Sequence, residues 1–94
     1  MSADRRGGVR LDVYLTKTRL IMPRSSAKRA CDNGIVSING NVAKPAALVE
    51  IGDTIEIRFT DQDLALVVEQ LPGKSVRKSD AARHYRLTAD RRYS

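Results

Sequence analysis

Ninety-four residues make one small domain, 41% hydrophobic but only 4% aromatic, with 17 Lys and Arg against 11 Asp and Glu and a formal net charge of +6. The longest apolar run, residues 64–68, is far short of the roughly 20 residues a membrane helix needs, and the residues after Met1 are too polar for a secretion signal, so a cytoplasmic protein without membrane contact is expected. A single cysteine excludes an internal disulfide framework, and with a single histidine it cannot supply the four ligands of a structural zinc site; the basic balance points instead to nucleic acid.

Residues 1–9 (MSADRRGGV) are polar and glycine-paired and read as a disordered extension. A first helix is expected over about residues 11–20, where Leu11, Tyr14, Leu15, Thr18 and Met22 keep the spacing of one buried face. Asp12 falls in its first turn, where a carboxylate meets the positive end of the helix dipole. Pro23 closes the segment, because proline disfavours helix in the residue before it. Ser25 is the expected N-cap of a second helix reaching about Asn33, with Ala27, Ala30 and Cys31 on its buried stripe and Gly34 free to take positive φ just past its end. Residues 35–38 form a strand, Asn39-Gly40 a two-residue type I′ turn, and residues 41–44 the return strand, broken by Pro45. After a turn at residues 51–53, residues 54–59 (TIEIRF) alternate as a half-exposed strand does. A turn at residues 61–63, a strand over residues 64–71 and a loop over residues 71–78 follow. Residues 80–87 (DAARHYRL) read as a short helix capped by Ser79, with Ala82 and Tyr85 on its apolar side, and residues 88–94 as a basic, loose end. The organisation is an extension (1–9), an α+β domain (10–71) and a basic tail with a short helix (72–94).

Charge is distributed unevenly along this plan. Residues 1–30 carry eight basic against two acidic side chains, residues 31–75 three against seven, and residues 76–94 six against two. Between Arg5 and Arg29 the only acid is Asp12. Arg10 and Lys17 fall on one edge of the first helix beside its buried stripe. Arg24 and Lys28 are four apart and share a face at the start of the second helix, whose free N–H groups also favour phosphate. Arg19 and Arg29 extend the patch. Scattered Lys and Arg are usually solvated surface; eight with one acid among them form a footprint for a nucleic-acid backbone. Groups for chemistry are scarce. Cys31 reads as a small buried hydrophobe. His84, in a basic tail, reads as solvated or touching phosphate, and a catalytic role would need a partner that is missing. Arg6-Gly7-Gly8 is a single RGG-type element, and no Walker or GxGxxG loop occurs. Neither catalysis nor a cofactor is expected.

The run Arg10-Leu11-Asp12-x-x-Leu15, then Arg19, Arg24-Ser25-x-Ala27-Lys28, Gly34-x-Val36-x-Ile38-Asn39-Gly40, Lys44-Pro45 and Val49-x-x-Gly52-Asp53 resembles the S4 RNA-binding domain, or αL motif. The resemblance spans about residues 10–59. It implies an S4-like fold of two N-terminal helices on a small, mainly antiparallel sheet, and RNA binding by the two-helix face. Charge and resemblance together give the expected RNA-binding set: Arg10, Lys17, Arg19, Arg24, Ser25, Lys28, Arg29 and Lys44. The chain is most similar to small stand-alone members of bacterial ribosome-associated quality control. That likeness implies a monomer whose partners are 23S ribosomal RNA and tRNA on an obstructed large ribosomal subunit, together with a NEMF-family (RqcH-type) factor that adds C-terminal alanine to the stalled chain. Heat-shock members that bind large subunits carrying a stalled chain come next; a long basic C-terminal extension would favour them. Two departures stand out. Nine residues precede Arg10, where family members often begin, and Pro23 stands where a basic residue is common.

Two other classes are weighed against this. A helix-turn-helix DNA-binding regulator also has two helices joined by a short turn, but here the second helix is only about nine residues and no third helix precedes the hairpin. A subunit that binds only protein would use the acidic stretch over residues 53–63.

Overall fold

The computed structural model describes residues 8–72 and 83–92. Its elements are β1 (Val9–Arg10), α1 (Leu11–Lys17), α2 (Arg24–Asp32), β2 (Val36–Ile38), β3 (Asn41–Val42), β4 (Leu48–Val49), β5 (Thr54–Arg58), β6 (Gln62–Val68) and β7 (Tyr85–Arg92). Five strands form one antiparallel sheet in the order β3-β2-β5-β6-β7, and β1 pairs with β4 in a separate short ladder. The class is α+β, as expected. Residues 1–7 of the expected extension, residues 73–78 of the expected loop, the Ser79 cap, Ala82 and residues 93–94 lie outside the described residues. Val9, expected within the extension, pairs with Val49.

The core is aliphatic and is one cluster. Leu11, Tyr14 and Leu15 of α1 meet Ala27 and Cys31 of α2 over Val36, Ile55, Ile57 and Leu66 of the sheet, all essentially buried. The alternation in β5 puts Ile55 and Ile57 inside and leaves Glu56 half-exposed, as the pattern TIEIRF requires.

The first helix is shorter than its apolar pattern suggests, ending at Lys17 rather than near Leu20. Thr18 is buried and turns its hydroxyl back onto the Tyr14 carbonyl at 2.6 Å. Arg19 then enters the left-handed region at φ 61°, and the Leu20 N–H reaches back to the Leu15 carbonyl while the Arg19 N–H reaches Thr16. That is a Schellman stop, made without glycine, four residues before Pro23. Met22, expected on the buried stripe, is therefore carried off the helix and is half-exposed. The second helix stops the same way where expected, with Gly34 at φ 75° and the Ile35 N–H on the Ala30 carbonyl. Its start differs from the expectation. Pro23 occupies the N-cap position with its carbonyl accepting from Ser26 and Ala27, so Ser25 lies inside the first turn and caps nothing. Ala30 is half-buried, while Ala27 and Cys31 are buried.

Asn39 (φ 52°) and Gly40 (φ 87°) give the hairpin the double positive φ of a type I′ turn. The Asn39 side chain donates to Asp53 at 3.1 Å and accepts from the Thr54 N–H at 3.0 Å, and Asp53 also accepts from the Glu50 N–H at 2.9 Å. The hairpin tip is thereby tied to the turn that starts β5.

Among the described residues the expected C-terminal helix does not form. Arg83 and His84 form one tight turn, and Tyr85–Arg92 is a strand along β6, with Tyr85 opposite Val68 and Leu87 opposite Leu66. Tertiary pairing here overrides a local sequence that also suits a helix. The end expected to be loose is, through Arg92, the edge of the sheet. β6 likewise begins at Gln62, inside the expected turn, because its polar start pairs with Arg91 and Arg92. His84 is buried, not solvated. Its carbonyl accepts the buried Tyr14 hydroxyl at 2.7 Å together with the N–H groups of Glu69 and Gln70. Burial, helped by Tyr85 and Glu69, pushes the Tyr14 phenol well above its ordinary value, so it stays a donor.

Two substitutions measure this packing. Leu15→Ala is expected to cost about 2–4 kcal/mol in a urea melt, from lost transfer energy plus a cavity. Tyr14→Phe is expected to cost about 1 kcal/mol, because the His84 carbonyl keeps two other donors when the hydroxyl is lost.

Candidate nucleic-acid interface

The interface starts at the first turn of α1. The Leu11 N–H donates to the Ala47 carbonyl at 2.7 Å and the Asp12 N–H to the Pro45 carbonyl at 3.1 Å. Two of the N–H groups that a helix leaves unpaired are thus satisfied by the chain around β4. This docking brings exposed Lys44 beside the start of the helix.

Asp12 is buried, with a side chain only 2% exposed, yet it carries two partly exposed arginines. Arg10 grips it with both ends of its guanidinium, Nε on Oδ1 and Nη2 on Oδ2, each at 3.2 Å. Arg24 places its Nε on the same Oδ2 at 3.4 Å. Burial alone would raise the Asp12 carboxyl, but the Arg10 hydrogen bond and the charges of Arg24 and Arg10 hold it below the usual carboxylate value. The result is two guanidiniums, from β1 and from the start of α2, set against one oxygen. Their remaining N–H groups are free of that oxygen, and planar forks of this kind suit phosphate.

The other expected contacts group around this pair. Ser25, Lys28 and Arg29 are exposed on α2, and Lys28 stands one turn beyond Arg24. Arg19 is exposed on the connector, and its guanidinium approaches the Met22 sulfur at 3.9 Å. Lys17 is half-buried at the end of α1 and already has a partner. So Arg10 and Arg24 come together on Asp12, Lys28 follows Arg24 one turn on, Lys44 is near the helix start, and Lys17 and Arg19 sit at the opposite end of α1.

The arginines of the tail are placed differently. In β7, Arg91 stands opposite Asp63, and Arg86 lies 3.9 Å from Glu69. Gln62 donates to Asp90 at 2.7 Å. Acids of β6 and its end therefore accompany Arg86 and Arg91 of the tail, whereas buried Asp12 holds two arginines in place, and exposed Asp32 closes the far end of α2. The expectation for Cys31 stands: burial, with Asp12 and Asp32 nearby, pushes its thiol up to about 11, so at neutral pH it is a protonated, unreactive packing group. No group of three or more His, Cys, Asp or Glu that would hold a metal ion occurs among the described residues. None of the described helices is long and apolar enough to cross a membrane.

The role of Asp12 is what the sequence reading missed, having placed it only at the helix dipole. The signal was present, since it is the one acid in a block of eight cations, two residues from Arg10.

The S4 domain family matches residues 9–55, from β1 into β5. The chain belongs to the S4 domain family. Among its curated relatives, the RQC P-site tRNA stabilizing factor of Halalkalibacterium halodurans is 37% identical over 84% of this chain and 89% of its own. The factor of the same name from Bacillus subtilis is 38% identical over 84% and 91%. Heat shock protein 15 of Escherichia coli is 30% identical over 87% of this chain and 62% of its own. The trimeric structure of Vibrio cholerae Heat Shock Protein 15 superposes with a TM-score of 0.78 at 35% identity, covering 87% of this chain and 83% of that one. These matches are longer than the S4 residues, so the likeness is not confined to the S4 match.

Asp12 and Arg19 give two tests. Because its folded value is lowered, the Asp12 carboxylate contributes stability above its unfolded value of about 4, and this is lost as pH falls through the lower folded value. Asp12→Asn is expected to cost about 1–2 kcal/mol at neutral pH and to flatten the acid limb of a stability-versus-pH curve. Arg19→Gly relieves a left-handed residue bearing a Cβ and is expected to raise stability by about 0.5–1 kcal/mol in the same melts.

Proposed function

We propose that this chain is an RNA-binding adaptor of ribosome-associated quality control, an RqcP-type factor that holds tRNA on an obstructed large ribosomal subunit. One observation carries the reading: Arg10 and Arg24 are fixed side by side on buried Asp12, with Lys28 a turn away, in an S4 domain whose relatives are named for stabilising P-site tRNA. Phosphates of 23S ribosomal RNA and of peptidyl-tRNA are the ligands of this face. Arg10, Arg24 and Lys28 supply the central contacts, with Lys17, Arg19, Ser25, Arg29 and Lys44 around them. Binding there supports a NEMF-family partner as it adds C-terminal alanine to the stalled chain. The protein acts by binding, as a cytoplasmic monomer, with no chemistry or cofactor of its own.

The likeness to the Vibrio cholerae Heat Shock Protein 15 structure favours a second reading, a factor that recycles large subunits carrying a stalled chain. Both readings use the same face. A helix-turn-helix regulator is disfavoured because α2 runs directly into the hairpin, and the groove-reading helix would have only nine residues.

Co-sedimentation with large subunits on a sucrose gradient tests the reading. The double variant Arg24→Gln, Lys28→Glu is expected to leave the large-subunit fraction, while Arg92→Glu, a charge change on β7, is expected to stay. Gln is chosen at position 24 because Glu would place a second carboxylate against Asp12. Equal loss in both variants would mean diffuse attraction and would remove the site. If four to six phosphates are neutralised, log K for RNA falls with log salt at a slope of about −3 to −5; a slope near zero would contradict the electrostatic basis.

A further inference from the structure

We infer that Met22 contacts an unpaired nucleobase, so that the knuckle between α1 and α2 reads looped RNA rather than plain duplex; the inference rests on the RNA-binding reading of the same face. Three apolar residues in a row leave α1. Leu20 and Ile21 turn inward and pack against the core, while Met22 turns outward and is 50% exposed. It is the one strongly exposed apolar side chain among the described residues of the helical half; the others, Val42, Leu48, Ile51 and Leu87, lie in the strands and their turns.

Its position is held from both sides. The N–H groups of Leu20 and Ile21 both return to the Leu15 carbonyl, at 2.9 and 3.1 Å, and the Pro23 carbonyl takes the N–H groups of Ser26 and Ala27. Arg19 sustains the turn in a left-handed conformation that glycine would adopt at lower cost, and so keeps a guanidinium beside the methionine sulfur at 3.9 Å. A polarisable thioether is therefore presented beside one guanidinium on a fastened turn, two residues before Arg24 in the chain.

This chemistry matches a splayed base between two phosphates. In duplex RNA the base faces are stacked away and the major groove is too deep and narrow for side chains, whereas loops and bulges expose those faces to apolar and planar groups. Arg19 and Arg24 take the flanking phosphates, and Met22 covers the base face. A thioether has no hydrogen-bond pattern to match, so the contact senses that a base is unpaired, whichever base it is.

The test compares two synthetic RNAs of equal length and charge, a hairpin with an unpaired loop and a blunt duplex, by fluorescence anisotropy at one stated salt with the full chain. The wild type is expected to prefer the hairpin. Met22→Ala is expected to weaken hairpin binding about fivefold or more, to leave duplex binding and the melting temperature unchanged, and Met22→Leu is expected to restore most of the loss. Unchanged hairpin binding by Met22→Ala, or equal loss on both RNAs, overturns this inference and leaves the RNA-binding reading standing. If the wild type shows no salt-dependent binding to either RNA, the reading fails and the inference falls with it.

Discussion

A buried carboxylate inside a cationic block is the constraint on which the rest of this surface depends. Asp12 is taken out of water, which is unfavourable for its charge, and two arginines fourteen residues apart in the chain offset that cost. In return it fixes three elements relative to one another: β1 through Arg10, α1 through its own backbone, and α2 through Arg24. Without it, Arg10 and Arg24 would repel each other at the same place. With it, they form a preorganised pair, and the entropy of ordering two long side chains is met during folding rather than on binding.

The sheet completes the arrangement by dealing with the remaining charge. A chain with a basic start, an acidic middle and a basic end places cations at both extremities. Antiparallel pairing of β7 on β6 brings Arg91 opposite Asp63 and Arg86 near Glu69, so the tail's cations meet the acids of the middle. The Tyr14 hydroxyl on the His84 carbonyl ties that strand to α1 across seventy positions of sequence. Charge is in this way sorted by the fold: Arg10 and Arg24 stay on the helical side, held by a buried acid rather than an exposed one.

Local signals in the sequence carried most of the fold. The Asn39-Gly40 turn, the alternation over β5, the Gly34 stop and the buried Ala27, Cys31 and Leu15 were all legible, because each is set by neighbours a few residues away. What failed depended on distant partners. Residues 85–92 contain good helix formers, and only β6, reached through the chain's own topology, makes them a strand. The end of α1 was misread because a Schellman stop usually advertises itself by glycine, and here the left-handed residue is an arginine. At the candidate site, the identities of the cations were legible from charge and from the S4 pattern. Their grouping was not: that Arg10 and Arg24 share one oxygen, while Lys17 has a partner of its own, is a tertiary fact.

RNA is taken, in this proposal, on the helical face built around Asp12 and not along the arginine-bearing edge strand. Amide chemical-shift mapping of the labelled protein during titration with tRNA tests this most directly. The largest shifts are expected at Arg10, Arg24, Ser25 and Lys28, with β7 from Tyr85 to Arg92 nearly unmoved. Largest shifts along β7, with the start of α2 silent, would contradict it.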